Sequence, residues 1–282
     1  MSAAPHPAPL VAPRGVRALR GRVVVIKLGG AVVADDASLA AVAADAALLQ
    51  RLGARPLVVH GAGPQIDAAL AALGRRPRRV DGIRVTDEPT LEVVEMVLGG
   101  RVNQRVVAAI GACDTRAVGL TGRDAGWLRA RRVRAAAGRP DPGLVGAPTR
   151  VRVDLPLRLL EDGFVPVVAP LAEDASGRPL NVNADAAAGA VAAALEAHAL
   201  MLHTDAGGVR GARGEAMPTL SLGALDGLRA AGVIHGGMLP KLAAARRALE
   251  AGVRHAWVLP AGPRATTGTL LGRPDRGTRV VA

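Results

Sequence analysis

Tyrosine is absent from the 282 residues, and phenylalanine occurs once, at Phe164. Nucleic-acid grooves stack bases on aromatic rings set among cations, so the net charge of +12, carried on scattered arginines, points to no nucleic-acid partner. Cys113 is the single cysteine. It excludes an internal disulfide, fits a reducing compartment and reads as a small core residue. No apolar run approaches the roughly 20 residues that span a bilayer, so no membrane partner and a cytoplasmic location are expected. Gly-x-x-x-x-Gly-Lys-Ser/Thr, Gly-x-Gly-x-x-Gly and hydrolase-type Ser/His/Asp spacing are all missing, and six scattered histidines with one cysteine make no metal site. No acidic residue precedes Asp35, and Pro5, Pro7, Pro9 and Pro13 break up the start, so residues 1–20 read as a short disordered tail.

The scarcest charged residue is lysine. Of 36 basic side chains only Lys27 and Lys241 are lysines. Both stand beside glycine pairs, Lys27 before Gly29-Gly30 and Lys241 after Gly236-Gly237. A compact ammonium serves a tight phosphate pocket where a planar guanidinium does not fit. Two lysines left over on a solvated face would have no reason to share that context. They point to phosphate handling from opposite ends of the chain.

Short apolar runs at 23–26, 56–59, 165–168, 199–202 and 257–259 predict buried strands. Alanine-rich segments at 38–52, 64–74, 90–110, 185–198 and 240–252 predict helices between them. The alternation implies βαβ units and an α/β fold with a mostly parallel sheet covered on both faces. Residues 129–154, turning at Gly138–Gly143, read as an antiparallel hairpin beside that sheet. Several strands run into glycine turns: Lys27-Leu-Gly29-Gly30, His60-Gly61-Ala62-Gly63-Pro64 and His203-Thr204-Asp205-Ala-Gly207-Gly208. Ligands of open α/β sheets bind beyond such carboxyl ends, where bare backbone N–H groups can approach an anion. Asp185 opens an alanine-rich helix, where Asp also serves as a common N-cap.

In order along residues 22–279, these turns and five further segments resemble the amino acid kinases, and within them the acetylglutamate kinase branch. The further segments are Gly82-Ile-Arg84-Val-Thr-Asp87, Glu95 to Asn103, Gly119 to Asp124, Asn181-Val-Asn183-Ala-Asp185 and Gly236 to Lys241. The resemblance implies a three-layer αβα sandwich in two lobes, 21–198 for the acyl-amino acid and 199–282 for ATP. It implies transfer of the ATP γ-phosphoryl group to the side-chain carboxylate of N-acetyl-L-glutamate, a step of arginine biosynthesis. Lys27 and Lys241 would flank the migrating group, and Asp185 would hold the ammonium groups in place. Gly29, Gly30 and the Gly61–Ala62–Gly63 turn would offer N–H groups. Arg84 would fork onto the substrate α-carboxylate, and Asn181 and Asn183 would hydrogen-bond its acetamide and carboxylates. Thr204, Asp205, Gly207, Gly208, Gly236 and Gly237 would lie by the nucleotide, whose phosphates would carry Mg²⁺. A kinase for a related acyl-amino acid, or a silent metabolite-binding paralogue, is the alternative.

Leu28 stands where the family usually has tyrosine and Ala62 where it has glycine, so both are expected to border the substrate carboxylate. The stretch from Arg264 to Gly277 is shorter than usual and lacks the usual Glu and aromatic residues, and residues 1–20 lack the aromatic-bearing helix that builds hexamers in arginine-inhibited relatives. A homodimer with weak or no arginine inhibition is therefore expected, a hexamer being the alternative. Deleting residues 1–20 should leave particle size in light scattering and the arginine response unchanged; a hexamer lost on truncation would overturn it.

Overall fold

In the computed structural model the described residues are 14–80, 82–135, 138, 140–273 and 277–282. Most of the expected tail, 1–13, lies outside them, and its last part is not a tail. Arg14–Leu19 is helical, and Leu19 is buried in the core. An apolar leucine with a surface to cover outweighs the basic residues around it.

One eight-stranded sheet forms the frame. Across it lie Thr219–Ser221, Thr278–Val281, His255–Pro260, Ala199–Thr204, Val23–Leu28, Arg55–His60, Val165–Ala169 and Ala117–Thr121. The last six are mutually parallel, and Thr278–Val281 runs antiparallel to His255–Pro260. Every residue of Val23–Leu28 and Ala199–Thr204 is buried. Covered on both sides, these strands read as unbroken apolar runs rather than as alternation. The sheet is continuous past the 198/199 division, since Val24 pairs with Ala199 and Leu28 with His203.

Strand parity sorts the two cores. Val23, Val25, Leu57, Val59, Leu200 and Leu202 face one apolar cluster, together with helices Ala184–Ala194 and Met238–Glu250. Val24, Ile26, Leu28, Val58, Ala199 and Met201 face the other, with helices Asp36–Arg51 and Asn103–Gly111. The expected 90–110 helix is continuous from Glu88 to Gly111, but its middle, Glu95–Val102, is a π-helix around Gly99-Gly100.

The expected hairpin is present as Leu128–Arg132 and Val145–Val151. It is closed into a four-stranded barrel by Leu171–Glu173 and Pro179–Val182. The chain's scarcity of aromatics is offset here by Trp127, wholly buried, with Nε1 donating to the Thr121 carbonyl at 2.8 Å.

Helices Ala184–Ala194 and Met238–Glu250 meet backbone to backbone. A Cβ on Gly189 would stand 2.9 Å from the Ala244 carbonyl oxygen and 3.0 Å from its Cα. Gly189→Ala gains about 1 kcal/mol of helix propensity but overpacks a contact of backbone atoms, which costs about 1–3 kcal/mol. The expected net result in urea denaturation is a loss of about 1 kcal/mol, with lower activity, because these helices carry Asp185 and Lys241.

Candidate active site

Lys27 has the parity of Val23 and Val25, so its side chain emerges on the face of the Ala184–Ala194 helix. That helix is capped by Asn183, whose Oδ1 accepts from the backbone N–H groups of Asp185 (2.9 Å) and Ala186 (3.1 Å). Asp185 is therefore not the cap. One turn position further in, it is free to face the lysines. Lys27 Nζ stands 2.8 Å from Asp185 Oδ1, and Lys241 Nζ 3.4 Å from Oδ2. The Lys27 contact is an ion pair without hydrogen-bond alignment, which leaves Oδ1 with no hydrogen-bond partner. Lys241 Nζ also donates to the Gly237 carbonyl at 3.4 Å. Burial pushes the Lys27 ammonium pKa down; Asp185 opposes this and Lys241 adds to it. The result is two cations and one anion in a dry pocket, with a surplus positive charge poised for an anionic ligand.

The two glycine turns beside Lys27 interlock. A Cβ on Gly30 would lie 2.6 Å from Gly63 N and 2.7 Å from Pro64 Cδ. Gln65 Nε2 donates to the Gly30 carbonyl at 2.9 Å, and Gly61 N–H to Leu28 O at 2.9 Å. The side chains of Leu28 and Ala62 are buried in the apolar cluster on the opposite face. The alternation of a strand turns Leu28 away from the side on which Lys27 emerges.

Arg84 is buried, and its fork is engaged within the chain. Nη1 donates to Asp67 Oδ1 at 2.6 Å and Nη2 to the Gly63 carbonyl at 3.1 Å. Arg79 donates to the other Asp67 oxygen at 2.6 Å. Burial raises the Asp67 pKa, but the hydrogen bonds and charges of Arg79 and Arg84 outweigh it and hold the carboxyl below its usual range. Thr86 Oγ1 donates to the Arg84 carbonyl at 3.0 Å, and Asn181 Nδ2 donates to Thr86 Oγ1 at 3.2 Å. Contacts thus link Arg84 to the Gly61–Gly63 turn and Asn181 to Arg84.

Thr204, Asp205, Gly207 and Gly208 form a separate turn. Thr204 Oγ1 donates to Asp205 Oδ1 at 3.1 Å, and Gly207 and Gly208 have φ of 72° and 144°. Asp205, Gly207 and Gly208 line a cavity of about 1020 Å³ together with Trp257, Leu270 and Arg279. Neither lysine nor Asp185 lines it, so this cavity and the ion pairs lie apart. Gly236 makes no hydrogen bond to the lysine pair among the described residues; Gly237 does.

Asp67 was not foreseen. It lies in the second turn of helix Gly63–Ala72, and its proximity in sequence to the arginine-rich 75–79 stretch is the one signal that points to it. His60 and Asn103 are also buried together, Asn103 Nδ2 lying 3.1 Å from His60 Nε2 and donating to Val167 O at 2.9 Å.

Paired ammonium groups on a buried carboxylate, beside interlocked glycine turns at strand ends, are an arrangement suited to an anionic, phosphate-bearing ligand. The chain belongs to the amino acid kinase family, whose model matches residues 22–260. It is similar to the acetylglutamate kinase of Jannaschia sp. (strain CCS1), 45% identical over 232 residues, which are 82% of this chain and 80% of that one. The acetylglutamate kinase of Chromohalobacter salexigens is 40% identical over 274 residues, covering 91% of this chain and 90% of that protein. Among solved structures, N-acetylglutamate synthase from Neisseria gonorrhoeae, complexed with coenzyme A and N-acetyl-glutamate, aligns with a TM-score of 0.81 and 27% identity. The alignment covers 95% of this chain and 61% of the synthase.

Burial holds His60 and His203 at pKa about 4, against 6.5 for a free imidazole. Both folded values lie below the unfolded one, so their contribution to stability is complete above pH 6.5 and is lost as pH falls toward 4. The melting temperature should drop over that window. Unfolding near pH 5 should take up at least about two protons, read from the pH dependence of denaturant midpoints.

Proposed function

We propose that the protein transfers the γ-phosphoryl group of ATP to the side-chain carboxylate of N-acetyl-L-glutamate, giving N-acetylglutamyl 5-phosphate for arginine biosynthesis. The observation that carries the reading is the Lys27–Asp185–Lys241 group, held within a chain 45% identical to an acetylglutamate kinase. The carboxylate oxygen attacks the γ-phosphorus while the bond to the β–γ bridging oxygen breaks, and ADP leaves. Both reactants are anions, so cancelling charge and fixing geometry supply most of the catalysis. Lys27 and Lys241 neutralise the oxygens of the migrating group, Lys241 from the ATP side, and Asp185 holds the two ammonium groups apart and in place. The nucleophile is already ionised at neutral pH, so no general base takes part.

N–H groups of Gly29, Gly30, Ala62 and Gly63 bind the equatorial oxygens in this reading. Arg84 meets the substrate α-carboxylate with the donors that Asp67 and Gly63 leave free, out of five in all. Asn181 offers its Oδ1 and Asn183 its Nδ2, the atoms not already bonded to Thr86 and the helix N-terminus. Residues 21–198 hold the acyl-amino acid and 199–282 the nucleotide, by way of Thr204, Asp205, Gly207, Gly208, Gly236 and Gly237. Each Asp185 oxygen faces an ammonium, so the donor set suits Mg²⁺ bound through the nucleotide phosphates. There the ion would offset phosphate charge. The short C-terminal segment supports a homodimer with weak or no arginine inhibition, working in the cytoplasm. Among the described residues no helix is long and apolar enough to cross a membrane.

Hydroxylamine trapping of the acyl phosphate from Mg-ATP and N-acetyl-L-glutamate tests the proposal. Turnover is expected, with a loss of about 10²–10³-fold in Lys27→Arg and Lys241→Arg, the scale of removing one positioned transition-state donor. ATP binding without product from N-acetyl-L-glutamate, or turnover confined to another acyl-amino acid, would overturn it.

A further inference from the structure

Beneath the end of the strand that leads into the nucleotide turn lies a polar group that the reaction does not use. His203 is the penultimate residue of Ala199–Thr204 and is wholly buried. Its register partners are Leu28 on one side and Leu259 on the other, and its carbonyl oxygen stands 3.7 Å from where a side chain would begin on Gly29. Its ring lies on the face away from Lys27. There Nδ1 is 3.0 Å from the Pro260 carbonyl and Nε2 2.8 Å from Thr266 Oγ1. A carbonyl only accepts, so Nδ1 carries the hydrogen and Nε2 accepts from the Thr266 hydroxyl. Burial, which holds the pKa at about 4, keeps the ring neutral and in that tautomer.

Both ends of this connection are anchored. Thr266 N–H donates to Asp45 Oδ2 at 2.6 Å, and Thr267 N–H to the same carboxylate at 3.2 Å. The Thr267 hydroxyl bonds Asp45 Oδ1 as well. Asp45 is buried in helix Asp36–Arg51, so a carboxylate from that helix fixes the start of Ala265–Leu270. At the other end, Pro260 pairs with Thr204 in the last step of the ladder, where proline has no N–H to give. The His203 ring takes up the Pro260 carbonyl at the point where the backbone ladder fails.

We propose that His203 is a positioning residue for the nucleotide: its ring bonds to Pro260 and Thr266 hold the ends of two adjacent strands in place, and with them the Thr204–Gly208 turn. This rests on the assignment of ATP to that turn. A leucine would fill a buried site of this size with no polar group to satisfy, so an imidazole bonded at both nitrogens is there for direction rather than for filling.

The test compares wild type, His203→Leu, Thr266→Val and the double variant, in steady-state kinetics and in calorimetric ADP titration, with melting temperatures alongside. His203→Leu should raise KM for ATP and Kd for ADP about fivefold, the factor that corresponds to one lost hydrogen bond, and leave KM for N-acetyl-L-glutamate unchanged. Pairing it with Thr266→Val removes the stranded hydroxyl as well, so the double variant should recover melting temperature while its ADP affinity stays low. Thr266→Val keeps the bond to Pro260 and should weaken ADP less than His203→Leu does. Recovery of ADP affinity along with stability in the double variant would reduce His203 to packing and overturn the proposal, as would unchanged affinity in His203→Leu. Wild type that binds ADP yet makes no acyl phosphate counts against the reaction assigned above, and the ADP comparison still decides the role of His203. Wild type that binds no ADP overturns both.

Discussion

Everything at the proposed reacting centre depends on one carboxylate shared by two ammonium groups. Asp185 is buried, and so is Lys27. Burial pushes Lys27 toward its neutral form and Lys241 adds to that push, so the Asp185 carboxylate is the one group that opposes it. Without Asp185 the two cations would repel across a dry pocket, and breaking such a buried pair costs about 3–5 kcal/mol. The fold serves this arrangement. A helix capped by Asn183 brings the carboxylate in, a strand brings one lysine, and a second helix, packed against the first through Gly189, brings the other.

The sheet separates two kinds of work by its faces. On one, side chains at alternate positions reach the phosphoryl-transfer centre. On the other, His60 with Asn103 and His203 with Thr266 and Asp45 hold strand ends from below, among apolar neighbours. Gly30 leaves no room for even a methyl group against Gly63 and Pro64.

Much of this was legible in the residues. The central strands announced themselves as unbroken apolar runs, and lysine scarcity singled out the two ammonium groups that meet on Asp185. The short strands Thr219–Ser221 and Thr278–Val281 at one end of the sheet were not legible, being three and four residues long and partly exposed. Ala117–Thr121 was missed because it is only partly buried and interrupted by Gly119. The side to which Leu28 turns was legible, since one step along a strand from Lys27 reverses the side chain. Asn183 was not legible as the helix cap, because Asn and Asp both cap helices and only position relative to the first turn separates Asn183 from Asp185. Asp45 and Asp67 stayed hidden for a different reason. Each reads as an ordinary helical aspartate, and its meaning comes from partners far away, 221 residues on for Thr266 and 17 for Arg84.

The pairing of a lysine-poor chain with lysines gathered on Asp185 makes the protein unusually transparent to spectroscopy. Isotopic labelling of lysine alone would place two side-chain ammonium signals in the entire spectrum, both from the reacting centre. The ionisation of Lys27, pulled down by burial and Lys241 and pushed back by Asp185, would be visible without assigning anything else.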